Sequence, residues 1–173
     1  MSELRTFSVL EQLRDGREIE IRALRPSDRD DMLAAADRTS DQSLYRRFFG
    51  ARRKFTDEEV ATFLNVDFID QVALVAVMRE GGHHVIVGGA RYIVVLPGTA
   101  ELAFTVVDEF QGQGIGSMLM RHLAALARAA GITKLVAEVL PDNIAMLKVF
   151  DRSGLELQTK RENGVVHVAL RLV

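Results

Sequence analysis

The residues best suited to chemistry fall between positions 101 and 154. Gln111-Gly112-Gln113-Gly114-Ile115-Gly116 is a glycine-rich stretch between an apolar, strand-like segment and an amphipathic, helix-like one. Glycines there let the backbone approach a ligand and adopt positive φ. The first N–H groups of a helix have no intrahelical partner, and the helix dipole adds partial positive charge. Such a turn therefore suits a phosphate or pyrophosphate. Upstream, Glu101 is a carboxylate among Ala100, Leu102, Ala103 and Phe104. Partial burial on that strand would raise its pKa toward the range useful to a general base.

Two phosphate-binding patterns fail. A P-loop needs Gly-Lys-Ser/Thr at the helix entry, whereas Gly116 precedes Ser117 with no lysine. The dinucleotide fingerprint starting at Gly112 and Gly114 puts Ser117 where the third glycine belongs, and the preceding strands look like an antiparallel meander. The chain has no cysteine, which removes a thiol nucleophile and a thiolate metal site. No Gly-x-Ser-x-Gly elbow occurs either.

The elements that must hold these residues follow from periodicity. Segments 6–13 and 18–24 flank the Asp15-Gly16 turn; Ile19, Ile21 and Ala23 alternate with Glu18, Glu20 and Arg22, so a hairpin with one buried face is expected. Pro26 and Ser27, the latter as N-cap, open a helix carrying Met32, Leu33 and Ala36. A second helix covers 42–49, and a third starts at the Thr56–Glu59 capping box. Three strands follow at 72–77, 85–95 and 100–107, joined by Gly81-Gly82 and Pro97-Gly98. After the glycine loop come a helix to 130, a strand over 134–140, a helix over 142–153, and a last hairpin turning at Asn163-Gly164. The 173 residues amount to one α/β domain, with residues 1–17 as an N-terminal extension or hairpin strand.

The Gln111, Gly114 and Gly116 spacing resembles the Gln/Arg-x-x-Gly-x-Gly/Ala acyl-CoA signature of the GCN5-related N-acetyltransferase (GNAT) superfamily. The resemblance runs from Glu18 to the last strand. It includes Asn143, Ala145, Phe150 and Gly154-Leu155, which look like that family's Asn…Ala…Tyr…Gly-Phe stretch. Segments 22–28, 43–49, 100–104 and 137–141 are further similar to the acetyltransferase domain of bacterial protein lysine acetyltransferases.

The resemblance implies a mixed, mostly antiparallel sheet flanked by helices, with acetyl-CoA held between two parallel strands that splay apart, here 100–107 and 134–140. It assigns cofactor contacts to Phe104, Val106 and Val107, to Gln111, Gly112, Gln113, Gly114, Ile115, Gly116 and Ser117, and to Asn143 and Phe150. Glu101 matches the family's base, and a backbone N–H near Val106 or Val107 would polarise the thioester. Phe150 departs from the usual Tyr, which serves as general acid; a thiol pKa of ~8.5 makes its anion a tolerable leaving group without one. The implied reaction is direct acetyl transfer to an amine, foremost a protein lysine. A small-molecule amine acceptor, and a CoA-binding sensor without turnover, are the alternatives.

Composition bounds the setting. Lys+Arg 22 against Asp+Glu 24 gives a net charge of −2, unlike a dedicated nucleic-acid binder. No apolar run approaches the ~20 residues that span a bilayer. The expectation is a cytoplasmic protein with no nucleic-acid or membrane partner and no metal, and with a homodimer left open. Arg46, Arg47, Arg52, Arg53 and Lys54, interleaved with Phe48 and Phe49, read as a solvated helix edge over two core aromatics, with a face toward an acidic protein substrate or the CoA 3′-phosphate as the alternative. His122 reads as a packed core histidine, His83-His84 as a hairpin tip, and Asp108-Glu109 as a strand terminator.

Overall fold

The turn signals of the sequence fix which strands are neighbours. In the computed structural model, which describes residues 2–48 and 55–172, Gly16 turns β1 (Ser8–Gln12) into β2 (Glu18–Ala23). Gly81-Gly82 turns β3 (Gln71–Glu80) into β4 (His83–Leu96), and Gly98 turns β4 into β5 (Thr99–Val106). Asn163 and Gly164 have φ of 53° and 73° between β7 (Glu156–Glu162) and β8 (Val165–Arg171). Positive φ at both central residues is the turn whose twist matches a tight hairpin. β6 (Lys134–Val139) completes an eight-stranded sheet in the order β1-β2-β3-β4-β5-β6-β8-β7.

Every neighbouring pair is antiparallel except β5–β6. A parallel pair needs a crossover, here the helix α5 (Ile115–Ala129). The apolar stripe of α5, Ile115, Leu119, Leu123 and Ala127 among others, is buried against the sheet. A short α1 (Ser2–Arg5) precedes β1. The helices α2 (Arg29–Asp37), α3 (Asp41–Phe48) and α4 (Asp57–Leu64) lie between β2 and β3, and α6 (Ile144–Asp151) follows β6. The capping box of α4 forms as expected: Glu59 N–H donates to Thr56 Oγ1 and Thr56 N–H to the Glu59 carboxylate, both at 3.1 Å.

Three side chains depart from the sequence expectation. Arg22 is buried instead of lying on a solvent face. It donates from both Nη1 and Nη2 to Asp28 at 2.8 Å, and Arg25 N–H donates to Asp28 at 2.7 Å. Burial opposes ionisation of Asp28, but the hydrogen bonds from Arg22 and the Arg25 N–H outweigh it and hold the carboxyl below its ordinary value. Because Asp28 is taken up this way, Pro26–Asp28 forms a 3-10 turn containing Ser27, and α2 starts only at Arg29. The third is His122, which is not sealed in the core. It is half-buried, pairs with the Glu11 carboxylate together with Arg121, and tilts against Phe7 with ring centroids 5.9 Å apart.

Candidate active site

The site begins where the parallel pairing stops. β5 and β6 pair at Thr99↔Lys134, Ala100↔Leu135 and Glu101↔Val136, and at no later position. Beyond Glu101 the strands part around a cleft of about 750 Å³. Its walls are residues 102–106 of β5 and 137–139 of β6; its ends are the glycine loop, the start of α5 and one side of α6.

The ladder register shows what β5 presents to this cleft. Val107 N–H donates to the Val87 carbonyl at 2.9 Å. Antiparallel ladders alternate, so the backbone groups of Val106 and Phe104, opposite Gly88 and Ala90, turn away from β4 toward the gap. Val107 itself is buried, with its donor engaged, and does not line the cleft. Of the two backbone donors the sequence suggested, the one facing the gap is Val106.

The loop side chains serve as struts. Gln111 Nε2 donates to the Val106 carbonyl at 3.0 Å and to Ser43 Oγ at 3.2 Å. Gln113 accepts from Arg17 at 2.6 Å, pinning the β1–β2 hairpin to the loop, and donates to the Glu109 carbonyl at 3.3 Å. Asp108 accepts from Ser40 N–H at 2.8 Å, so it anchors the start of α3 as well as ending the strand.

Gly114 caps α5 with φ +87°, and the first helical bond runs from Met118 N–H to its carbonyl at 3.0 Å. The N–H groups of Ile115, Gly116 and Ser117 precede that bond and are available to an anion. Gly112 and Ser117 are exposed, whereas the Ile115 side chain is buried. A Cβ on Gly116 would meet Val149 Cγ2 at 3.2 Å, so this glycine lets α5 and α6 close beneath the cleft.

Asn143 lines the cleft, and its Oδ1 accepts from Met146 N–H at 3.3 Å as the cap of α6. Phe150 is 1% exposed and meets Phe104 edge-on at 5.9 Å, forming the cleft floor. Glu101, the last position paired before the splay, is exposed, without the partial burial expected from its apolar neighbours in sequence; its side chain lines not the cleft but a separate cavity of about 350 Å³ with Lys134, Glu138 and His167.

Arg46 and Arg47 are not a solvated edge. Both are half-buried and line the cleft; Arg46 pairs with Asp142 at 3.5 Å. Burial, together with the like charge of Arg91, pushes Arg47 down to about 10, opposed by the nearby Glu101. Phe49, Arg52, Arg53 and Lys54 lie outside the described residues. Sequence reasoning also missed Gln12, Arg14 and Arg121, which line the cleft's outer end. Arg14 stands one residue before the Asp15-Gly16 turn, and only the tertiary placement of that hairpin brings it to the cleft.

The acetyltransferase (GNAT) family profile matches residues 35–155. The chain belongs to the acetyltransferase (GNAT) family. Within it, acetyltransferase Pat of Mycolicibacterium smegmatis is 36% identical over 157 residues, which is 90% of this chain and 46% of that protein. The chain thus spans about half the length of that relative. Acetyltransferase PA5475 of Pseudomonas aeruginosa is 33% identical over 138 residues, 79% of this chain and 74% of that protein. The crystal structure of the GNAT domain of S. lividans PAT superposes with a TM-score of 0.85 at 34% identity, covering 95% of this chain and 96% of that one. The mixed sheet, the parallel β5–β6 pair and the flanking helices are therefore the GNAT fold that the motif spacing implied.

Proposed function

We propose that this chain transfers an acetyl group from acetyl-CoA to an amine, foremost a protein lysine. The observation that carries the reading is the splay of β5 from β6. It leaves backbone donors of β5 unpaired and aims the N-terminus of α5 along the same cleft. A pantetheine amide pairs with such a strand edge, and a pyrophosphate suits the three free N–H groups at the helix start. Arg14, Arg121, Lys148 and Arg152 add positive charge around the cleft for a polyanionic cosubstrate.

The chemistry follows from the same geometry. A lysine ammonium has an ordinary pKa of ~10.4, so a proton must leave before the nitrogen can attack. Glu101, at the apex and open to solvent, accepts that proton directly or through a water. The amine nitrogen then forms a bond to the thioester carbon. Negative charge developing on the carbonyl oxygen meets the Val106 N–H, a fixed donor facing the gap. The C–S bond breaks with its electron pair on sulfur, the nitrogen gives up its second proton to solvent to become an amide, and solvent protonates the thiolate, since Phe150 has no proton to give.

The lysine acceptor is supported by the sequence segments shared with protein lysine acetyltransferases and by the structural match to the S. lividans domain. It is also supported by the surface beside Glu101, where β6 and β8 present exposed or half-buried side chains at alternate positions. Phe150 favours one other reading, a CoA-binding module with little turnover. The experiment is mass spectrometry of acetyl-lysine in a cell extract supplied with acetyl-CoA and this protein, beside Glu101→Gln. We expect site-selective acetylation that falls roughly 100-fold or more in the variant. Acetylation that survives the variant removes Glu101 as base. A folded, acetyl-CoA-binding protein that adds nothing above the chemical background overturns the lysine reading.

A further inference from the structure

Arg91 stands on the acceptor side of the sheet in an unusual setting. Ile93 pairs with Glu101 and Arg91 with Ala103, so Arg91 and Glu101 share one face as diagonal neighbours across β4 and β5. Arg91 Nη2 donates to the Phe63 carbonyl in the last turn of α4 at 3.0 Å, and its guanidinium lies 5.1 Å from the Phe63 ring centroid. Arg47 approaches the same ring from α3 at 5.9 Å. Among the described residues Arg91 makes no ion pair, and burial lowers it to about 10. One carbonyl satisfies one of its five donors.

Arg91 and Arg47 line a second cavity of about 150 Å³ between the sheet and α2–α4. That cavity meets the cofactor cleft at Arg47, Ala103 and Thr105, which line both. A single carbonyl leaves most donors of a buried guanidinium unsatisfied, which is a costly arrangement. A carboxylate arriving from outside would offset that cost and find planar, forked donors already in place.

We propose that Arg91 receives a carboxylate of the acceptor, so that the acetylated lysine carries an Asp or Glu two residues away in an extended segment. The spacing argues for this register. Side chains at i and i+2 of an extended chain point the same way about 6.6 Å apart. Diagonal neighbours on a sheet lie ~7–8 Å apart, the separation class of Glu101 and Arg91. A lysine presented to Glu101 thus brings the i±2 side chain to Arg91. The inference rests on the lysine-acceptor reading above and names the class of lysine.

The test uses two pairs of peptides, Glu or Gln two residues before or after a single lysine. Each is assayed with acetyl-CoA for kcat/KM and titrated into the CoA-loaded protein for Kd. We expect one Glu peptide to exceed its Gln partner roughly tenfold in both readouts, the usual size of a charge-assisted hydrogen bond. Arg91→Gln brings the two within about twofold, and Arg91→Lys, which keeps the charge without the fork, leaves an intermediate preference. Equal values for Glu and Gln peptides in the unaltered protein overturn the proposal, as does a preference that persists in Arg91→Gln. Failure of every peptide to bind also overturns it. Charge-dependent binding without turnover supports the Arg91 site while overturning the lysine-transfer reading, so the two fail separately.

Discussion

The two ends of the sheet solve different problems. β1–β5 form a scaffold with helices on both faces of its middle, α2–α4 on one and α5 on the other. The run Val72–Met78 in β3 is buried without a break. β6 and β8 instead alternate buried and exposed residues, and β7 is exposed at all but one position. One pair of ions at each end illustrates the difference. Arg22–Asp28 is 2.8 Å long and buried, whereas His167–Glu138 and Arg171–Glu156 are 3.8 Å and exposed. The contrast teaches that burial is concentrated in the strands that bound one side of the cleft, and exposed surface lies at the end where the proposed acceptor would land. Glu101 stands on the border between the two.

Substitutions can break that contrast, and the buried pair is where the effect is largest. Asp28→Ala strands a guanidinium in the scaffold and is expected to cost about 3–5 kcal/mol in chemical denaturation. The pH dependence carries the same signature. Asp28 is held below its ordinary value, so its stabilising effect is fully present above the unfolded value of ~3.9 and fades as pH falls through the lower folded value. Denaturation curves between about pH 5 and 2 should lose stability less steeply in Asp28→Asn. An unchanged slope would show that Asp28 is not the group responsible.

Gly116→Val comes next. The new side chain meets Val149, and we expect about 1–3 kcal/mol of destabilisation together with weaker acetyl-CoA binding by calorimetry. Loss of the α4 cap in Thr56→Ala should cost ~1 kcal/mol. At the open end, Glu138→Gln breaks an exposed pair and should change stability by less than ~1 kcal/mol. A cost there approaching that at Asp28 would erase the distinction between the two ends.

What the sequence made legible was local. Asp15-Gly16, Gly81-Gly82 and Asn163-Gly164 specify their turns within two residues, and the stripe of α5 repeats every turn, so hairpins and crossover follow from short-range rules. The glycine loop was readable for the same reason. What escaped depends on register across the sheet. Arg22 looks solvent-facing by alternation until Asp28 folds back over it. Glu101 looks partly buried from its chain neighbours, yet it stands beyond the part of its face that α4 covers at Arg91 and is exposed. Val107 and Val106 are adjacent in sequence, and only the pairing of Val107 with Val87 decides which of them faces the gap. Arg91 and Arg47 sit 44 positions apart and meet over Phe63, a meeting with no local trace.

The parting of β5 from β6 has one more consequence. A strand with unpaired amides is an invitation to any other extended chain, the usual route to domain exchange and fibre growth. Here that edge is interior, bounded by α5 and α6 and flanked by paired strands, and the Gln111 side chain already occupies the Val106 carbonyl. The protein thereby keeps its sticky edge in the middle of its sheet instead of at the rim, where foreign strands ordinarily add.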